Sequence, residues 1–236
     1  MEAVSAEKSL DENFEVKNCH KEGKNMLTVL FFRKALFRFV KRSFDIIASL
    51  FGLIFLSPVF LITAIAIKFE DGGPVIHRRY CVGKNGTYTM YKFRSMRVDA
   101  NDIEKLLSAE QLEEYRKECK VKNDPRITKI GKIIRRYSID ELPQLLTVLK
   151  GDMSLVGPRP IVEFETVYYG KLLDVVLSVR PGMTGYWQVN GRSDVTYESG
   201  KRQKLELYYA THQSIKLDLE ILLKTIKIVI IGEGAR

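Results

Sequence analysis

The sequence predicts a helix-rich α+β fold held on one face of a membrane: a monotopic protein with a re-entrant helix broken at Ser57-Pro58, a small β-hairpin and amphipathic interfacial helices. Three observations predict it. No charged residue occurs in the 22 positions from Ile46 to Ile67, and at about 1.5 Å per residue a straight helix of that length reaches roughly 33 Å, about one hydrocarbon thickness. Basic residues stand on both flanks, Arg33, Lys34, Arg38, Lys41 and Arg42 before it and Lys68, Arg78, Arg79 and Lys84 after it, although positive charge favours the cytoplasmic side alone. Pro58, near the middle, has no amide donor, and its ring clashes with the carbonyl of Ile54.

The elements follow in chain order. Residues 1–25 are polar and without a period, so 1–40 reads as an N-terminal extension ahead of a domain over 41–236. Residues 26–42 mix apolar and basic side chains, the composition of a helix lying on an anionic membrane surface. The membrane segment runs over about 44–67, and Ser57 can bond back to a carbonyl one turn earlier, easing the break in lipid. A hairpin that enters one leaflet and returns satisfies the break and both flanks; a kinked bitopic helix is the competing reading. Val75–Val82 and Thr87–Phe93 are β-rich and joined by Gly83-Lys84-Asn85-Gly86, with Asn85-Gly86 as the hairpin signal. Ile103, Leu106, Leu107, Leu112 and Tyr115 space out as one charged amphipathic helix. Leu205, Tyr208, Tyr209 and His212 recur at helical spacing, and Leu217–Ile231 forms a last helix with a Glu220–Lys224 pair on its charged stripe, destined either for the core or for the membrane plane.

Charge narrows the partners. The chain of 236 residues carries 38 Lys and Arg against 29 Asp and Glu, a net +9, and residues 1–25 are acidic enough to leave +11 for the remainder. A basic body fits nucleic acid, an anionic lipid surface or a phosphorylated substrate. Cys19, Cys81 and Cys119, like His20, His77 and His212, are scattered, so neither a disulfide framework nor a Cys- or His-based metal site is indicated.

Four segments can carry chemistry. Arg126, Lys129, Lys132, Arg135 and Arg136 precede adjacent carboxylates, Asp140 and Glu141. Ser138-x-x-Glu141 is a capping box in form, which would make these acids merely structural. Alternatively, neighbouring carboxylates at a helix start amid cations can hold a divalent metal and keep one oxygen at low pKa, nucleophilic towards phosphorus. Gly151–Pro160 sets Arg159 between Pro158 and Pro160, which stiffen the backbone and suit the guanidinium to a bidentate grip on phosphate. Arg180–Arg192 brings a Pro181-Gly182 turn, the single Trp, and Gln188, Asn190 and Arg192, a set that either shapes a ligand pocket or connects strands. Tyr91–Arg97 interleaves cations with aromatics, a pattern that also suits single-stranded nucleic acid, but an adjoining lipid-buried helix argues against that use.

Together these segments resemble the bacterial sugar transferases, the monotopic phosphoglycosyl transferases. The resemblance runs from Lys41-Arg42-Ser43-Phe44-Asp45 through Ser57-Pro58, Tyr91–Met96, Asp124–Gly131, Ser138–Leu145, Gly151–Pro160 and Arg180–Arg192. It implies a re-entrant helix with both ends on the cytoplasmic side of a bacterial inner membrane, and a Mg²⁺-dependent transfer of sugar-1-phosphate from a UDP-sugar to polyprenyl (undecaprenyl) phosphate. Such a step begins an exopolysaccharide, capsule or O-antigen. By similarity, Asp140 is the nucleophile and a metal ligand and Glu141 its partner carboxylate. The donor is gripped by Arg159 with Pro158 and Pro160, and Lys92, Arg94, Arg126, Gln188, Asn190 and Arg192 are further candidates for substrate contacts. The partners implied are the UDP-sugar, the polyprenyl phosphate and an anionic phospholipid membrane, with no nucleic acid; homo-oligomer formation stays open. Two rivals remain: a membrane-surface basic adaptor or RNA binder, and a glycosyl transferase that moves sugar alone and releases UDP.

Overall fold

The computed structural model describes residues 31–118, 121–191 and 199–231. The chain divides into two compact units, Met1–Ser43 and Phe44–Arg236; in the first, residues 31–43 are helical, with Phe31, Phe32, Leu36 and Phe39 exposed.

Helix α1 spans Phe31–Phe55 and α2 spans Ser57–Asp71, and the axis bends by 60° between them. The cause is local. Pro58 sits in the first turn of α2, and the Ser57 hydroxyl donates to the Ile54 carbonyl at 2.8 Å, taking the acceptor that the proline ring displaces. Among the described residues no single helix is long and apolar enough to cross a membrane, whereas this bent pair passes the same test together. Its burial pattern is inverted relative to a water-soluble helix pair. Asp45 (1% exposed), Ser49 (0%) and Thr63 face the protein, while Phe51 (69%), Ile54, Phe55, Leu61, Ile62 and Phe69 (86%) face outward. Each such outward side chain would gain about 1.5–3 kcal/mol on leaving water, so the surface is built for an apolar surrounding.

Asp45 ties this element to the rest: its Oδ1 accepts from the Ser154 hydroxyl and the Leu155 amide, both at 3.0 Å. Strands β1 (Ile76–Gly83) and β2 (Gly86–Phe93) form the expected antiparallel hairpin. The turn falls within the expected Gly83–Gly86 connection, with each strand one residue longer at that end: Gly83 pairs with Gly86, Lys84 and Asn85 fill the turn, and Gly86 takes a φ of 112° that a side chain would strain. The single helix expected after it is two, α3 (Ile103–Leu106) and α4 (Ala109–Glu118). Ser108 and Gln111 explain the break. The Ser108 hydroxyl accepts from the Gln111 amide and the Gln111 side chain from the Ser108 amide, each at 3.2 Å, a reciprocal cap that starts a new helix.

Helix α5 (Lys129–Arg136) is capped by Thr128 Oγ1, which accepts from the Gly131 amide at 2.8 Å. Gly131 is required there, since a Cβ would overlap the Ser95 carbonyl. A 3₁₀ turn, Ile139–Glu141, leads into α6 (Gln144–Lys150). Beyond it, β3 (Ser154–Val156) pairs in parallel with β4 (Gly182–Thr184), between which lie two 3₁₀ turns and α7 (Leu173–Leu177). So Pro181-Gly182 opens a strand. Helices α8 (Tyr186–Asn190), α9 (Lys201–Thr211) and α10 (Ile215–Ile231) complete the fold. Helix α10 answers the core-or-surface alternative with both: Ile221 is buried with Val156 and Tyr209, while Leu219, Leu223 and Ile226 are exposed. The Glu220–Lys224 pair does not form, because Lys224 Nζ donates to Asn190 Oδ1 at 2.9 Å instead.

The core that carries the Asp140 turn is Ile67 of α2, Phe93 of β2 and Ile134 of α5, with Phe60, Ile130 and Ile139 packed around it. The β-hairpin packs against both the 3₁₀ turn and α6. Glu70 Oε1, at the end of α2, accepts from the Ile130 amide at 3.1 Å and joins α2 to α5.

Candidate active site

Ser138 adopts a left-handed conformation, φ 56° and ψ 22°, that ends the path of α5 and turns the chain sharply into Ile139–Glu141. A non-glycine residue there carries backbone strain. The capping box expected from Ser138-x-x-Glu141 does not form: Ser138 makes no side-chain cap, and Glu141 reaches across to β2, where Lys92 Nζ lies 2.6 Å from its Oε1. The acids are therefore freed from helix-capping duty.

Asp140 is partly buried beside this pair. Burial is the main force on its carboxyl, and repulsion from Glu141 adds to it. Lys92 and Arg135 oppose them, but the balance pushes the pKa up to about 6. The low pKa expected from the cationic sequence context is thus corrected, because desolvation and a like charge outweigh two cations. At pH 7 the group is still roughly nine-tenths ionised. Arg135, not among the sequence candidates, is positioned by a 2.8 Å bond from its Nε to Ser95 Oγ. Its sequence trace was its place in the basic run ahead of Asp140.

Arg94 and Arg126, expected at phosphate, are occupied elsewhere. Arg94 forms a bidentate pair with Asp71 and donates to the carbonyls of Pro74 (2.6 Å) and Met96 (2.9 Å). Arg126 is buried against Asp124, with bonds of 2.7 and 2.8 Å, and lies over the Tyr115 ring. Both clamp loops, and their donors are directed at protein acceptors. The cation–aromatic run thereby divides its work: Lys92 to Glu141, Phe93 to the core, Arg94 to Asp71, Arg97 to Asp99.

Arg159 belongs to a second cluster. Its guanidinium lies 5.7 Å from the Trp187 ring centroid, and that of Arg202 lies 4.3 Å away. Beneath them Glu206 is 1% exposed; it accepts from the Tyr169 hydroxyl at 2.9 Å and from Arg202 at 3.3 Å. Burial pushes its carboxyl up against the pull of Arg202, Tyr169 and Arg159. The Arg159 loop is fixed by backbone crossing. Gly157 donates to the Thr184 carbonyl (2.9 Å) and Gly182 to the Pro158 carbonyl (2.8 Å), and a Cβ on Gly182 would overlap the Gly157 nitrogen. This crossing explains why the Gly-Pro-Arg-Pro segment and the Pro-Gly-Met-Thr-Gly segment occur together, beyond the stiffness of Pro158 and Pro160. Tyr169, Arg202 and Glu206 are not among the sequence candidates; the i,i+4 spacing of Arg202 and Glu206 on α9 was the available signal, while nothing local links Tyr169 to them.

Gln188 and Asn190 sit on α8, where Asn190 bonds to Lys224 and to the Tyr186 carbonyl; Arg192 lies outside the described residues. Cys81 is buried as a free thiol that burial pushes up, and His212 stacks on Tyr208. Cys19, Cys119 and His20 lie outside the described residues. Among the described residues no three His, Cys, Asp or Glu side chains gather into a metal cage. Asp140 and Glu141 still fit Mg²⁺, which is commonly held by one or two carboxylates with substrate phosphates completing its shell.

Over 202 residues the chain is 46% identical to the undecaprenyl-phosphate galactose phosphotransferase of Salmonella typhimurium, covering 84% of this chain and 42% of that protein. It is 40% identical over 199 residues to the exopolysaccharide production protein ExoY of Sinorhizobium fredii, covering 83% and 87%. It is also 40% identical over 206 residues to the undecaprenyl-phosphate glucose phosphotransferase of Komagataeibacter xylinus, covering 83% and 36%. The chain thus spans less than half the length of the galactose and glucose enzymes it matches. The family model for bacterial sugar transferases matches residues 36–232, a stretch that contains both charged clusters and the break between α1 and α2, and the chain belongs to the bacterial sugar transferase family.

Proposed function

We propose that the protein is a phosphoglycosyl transferase that moves a sugar-1-phosphate from a UDP-sugar to polyprenyl phosphate, releasing UMP, at the cytoplasmic face of a bacterial inner membrane. The observation that carries this reading is a partly buried carboxylate, Asp140, in the field of Lys92 and Arg135, with the outwardly apolar helix α2 packed on α5 beside it. The names of the relatives, undecaprenyl-phosphate galactose and glucose phosphotransferase, support transfer of a phosphorylated sugar rather than sugar alone.

In this reading the Asp140 carboxylate attacks the β-phosphorus of the donor, a P–O bond forms, and the bond to the UMP oxygen breaks. The polyprenyl phosphate oxygen then attacks the same phosphorus and expels the carboxylate unchanged. The low polarity that raises the pKa of Asp140 also leaves its ionised form poorly solvated, which favours attack. Lys92 holds Glu141 and, with Arg135, offsets charge that builds on the phosphoryl oxygens. Arg159, held over Trp187, is assigned to the donor's phosphates or uridine portion. Mg²⁺, held by Asp140 with Glu141 beside it, would supply further charge neutralisation to the diphosphate. The bent helix pair is assigned to a re-entrant hairpin, so that Arg33–Arg42 and the residues after α2 share one membrane face, with residues 41–236 as the catalytic domain and 1–40 as its extension.

The test is the nucleotide released when detergent-solubilised protein meets UDP-sugars, Mg²⁺ and polyprenyl phosphate. UMP together with a lipid diphosphate-sugar is the expected outcome. UDP, or no turnover across a broad panel of UDP-sugars, overturns the proposal and returns the choice to a sugar-only transferase or a basic membrane-surface adaptor.

A further inference from the structure

We propose that the apolar groove between α2 and α5 holds the phosphate-proximal end of the acceptor's isoprenoid chain and delivers its phosphate to Asp140; this rests on the phosphoglycosyl transferase reading above. The groove is a cavity of about 310 Å³ walled by Val59, Ile62 and Ala66 of α2, by Ile130, Ile133 and Ile134 of α5, and by Ile139, with Thr63 as the one polar residue of the wall. Its α2 wall repeats at helical spacing, so one face of α2 forms one side of the trough.

Three features choose the occupant. The first is position, since the wall residue Ile139 is the chain neighbour of Asp140, and the trough therefore runs alongside the turn that carries the candidate nucleophile. The second is charge. Arg135 follows the wall residue Ile134 in α5, and its field and that of Lys92 reach Asp140, so a hydrocarbon wall and a cation near the candidate nucleophile meet in one stretch of chain, the pairing of groups in an isoprenoid phosphate. The third is contrast. A second cavity, about 450 Å³, is lined by Arg78 and Tyr91 together with Pro74, Val75, Ile76, Pro143 and Leu146, and a guanidinium and a phenol in the wall suit it less well to a hydrocarbon. A volume near 310 Å³ is at the small end for ligand pockets. It therefore takes the reactive end of a long chain and leaves the remainder to the lipid around the exposed faces of α1 and α2.

The experiment uses the full chain in phosphatidylglycerol-containing nanodiscs and a polyprenyl phosphate with a diazirine on the isoprene unit nearest the phosphate. Photolabelling is expected within residues 59–66 and 130–139, suppressed by excess unlabelled polyprenyl phosphate and not by added phosphatidylglycerol. Ala66→Phe, which fills the trough, is expected to cut labelling and to raise KM for polyprenyl phosphate about tenfold relative to KM for the UDP-sugar. Ile133→Trp, at an exposed wall position, repeats the measurement should Ala66→Phe not fold. Labelling outside both segments overturns the proposal, as does equal suppression by phosphatidylglycerol, which marks a general acyl-chain groove. Labelling as expected without UMP release from any UDP-sugar leaves the groove as an isoprenoid phosphate site and removes the enzymatic reading instead. UMP release with labelling elsewhere does the reverse.

Discussion

Asp140 and Glu206 are both acids held away from water, and in both burial pushes the carboxyl pKa upward, yet their surroundings differ in kind. Glu206 is at the bottom of its cluster, 1% exposed, with the Tyr169 hydroxyl and Arg202 bonded to its two oxygens. Asp140 is only partly buried, and among the described residues no other side chain donates a hydrogen bond to it; the nearest ammonium, on Lys92, is bonded to Glu141. A buried carboxylate with its partners in place is scaffold, because removing it strands a cation. A raised carboxylate that feels cations without bonding to them has its lone pairs ready for a substrate. In the proposed reading the same perturbation marks structure in one cluster and reactivity in the other.

Four experiments break or sharpen that contrast. The largest effect is expected from Asp140→Asn, which should reduce turnover by at least about a thousandfold, as loss of a nucleophile does, while membrane association persists. Substantial residual turnover would remove Asp140 from that role. Next is Glu206→Ala, which leaves Arg202 buried without its carboxylate. It should cost about 3–5 kcal/mol, or roughly 6–20 °C in Tm for a chain of this size, and a Tm within a degree or two of the parent would show the cluster to be dispensable. Arg159→Lys loses the planar fork and should lower kcat/KM about 10- to 100-fold, chiefly through KM for the donor; an effect confined to KM for the lipid would move Arg159 to the acceptor.

The smallest effect carries the sign that separates the two carboxylates. With a folded pKa of about 6 against 3.8 in a model peptide, ionised Asp140 opposes folding. Below the unfolded value both states are protonated and nothing is lost; the cost grows as pH rises through the folded value and is complete above it. Asp140→Asn in Mg²⁺-free buffer should therefore raise stability by on the order of 1–3 kcal/mol at pH 7 and hardly at all at pH 4. Thermal melts at the two pH values measure it, and equal shifts at both would show that charge is not the cause. Glu206→Ala should destabilise instead.

Much of this was legible in the residue order. Pro58 and Ser57 foretold the 60° break and even the bond to Ile54, because both effects act within one helical turn. The hairpin and the last two helices follow from local periodicity and turn chemistry. Local patterns failed where a distant group competed for the same side chain. Glu141 had the spacing of a capping box and went to Lys92, Lys224 had the spacing of an ion pair with Glu220 and went to Asn190, and Arg94 and Arg126 went to protein carboxylates. The Ser108–Gln111 cap was present in the sequence and passed over, which is why one helix was expected where two exist.

The sequence by itself determined which segments are helix, strand and membrane-seeking surface, since hydrophobic period, proline and turn residues act over a few positions of chain. It also determined the basic excess and the set of residues from which the site is drawn. Only the tertiary structure decided which cations serve Asp140, that its pKa lies high rather than low, and that Glu206 stands under Arg159 and Trp187. Those outcomes depend on burial and on charges brought together from positions as far apart as Lys92 and Glu141, or Tyr169 and Glu206, and a Coulomb interaction is set by distance in space and local dielectric, neither of which is written in chain order.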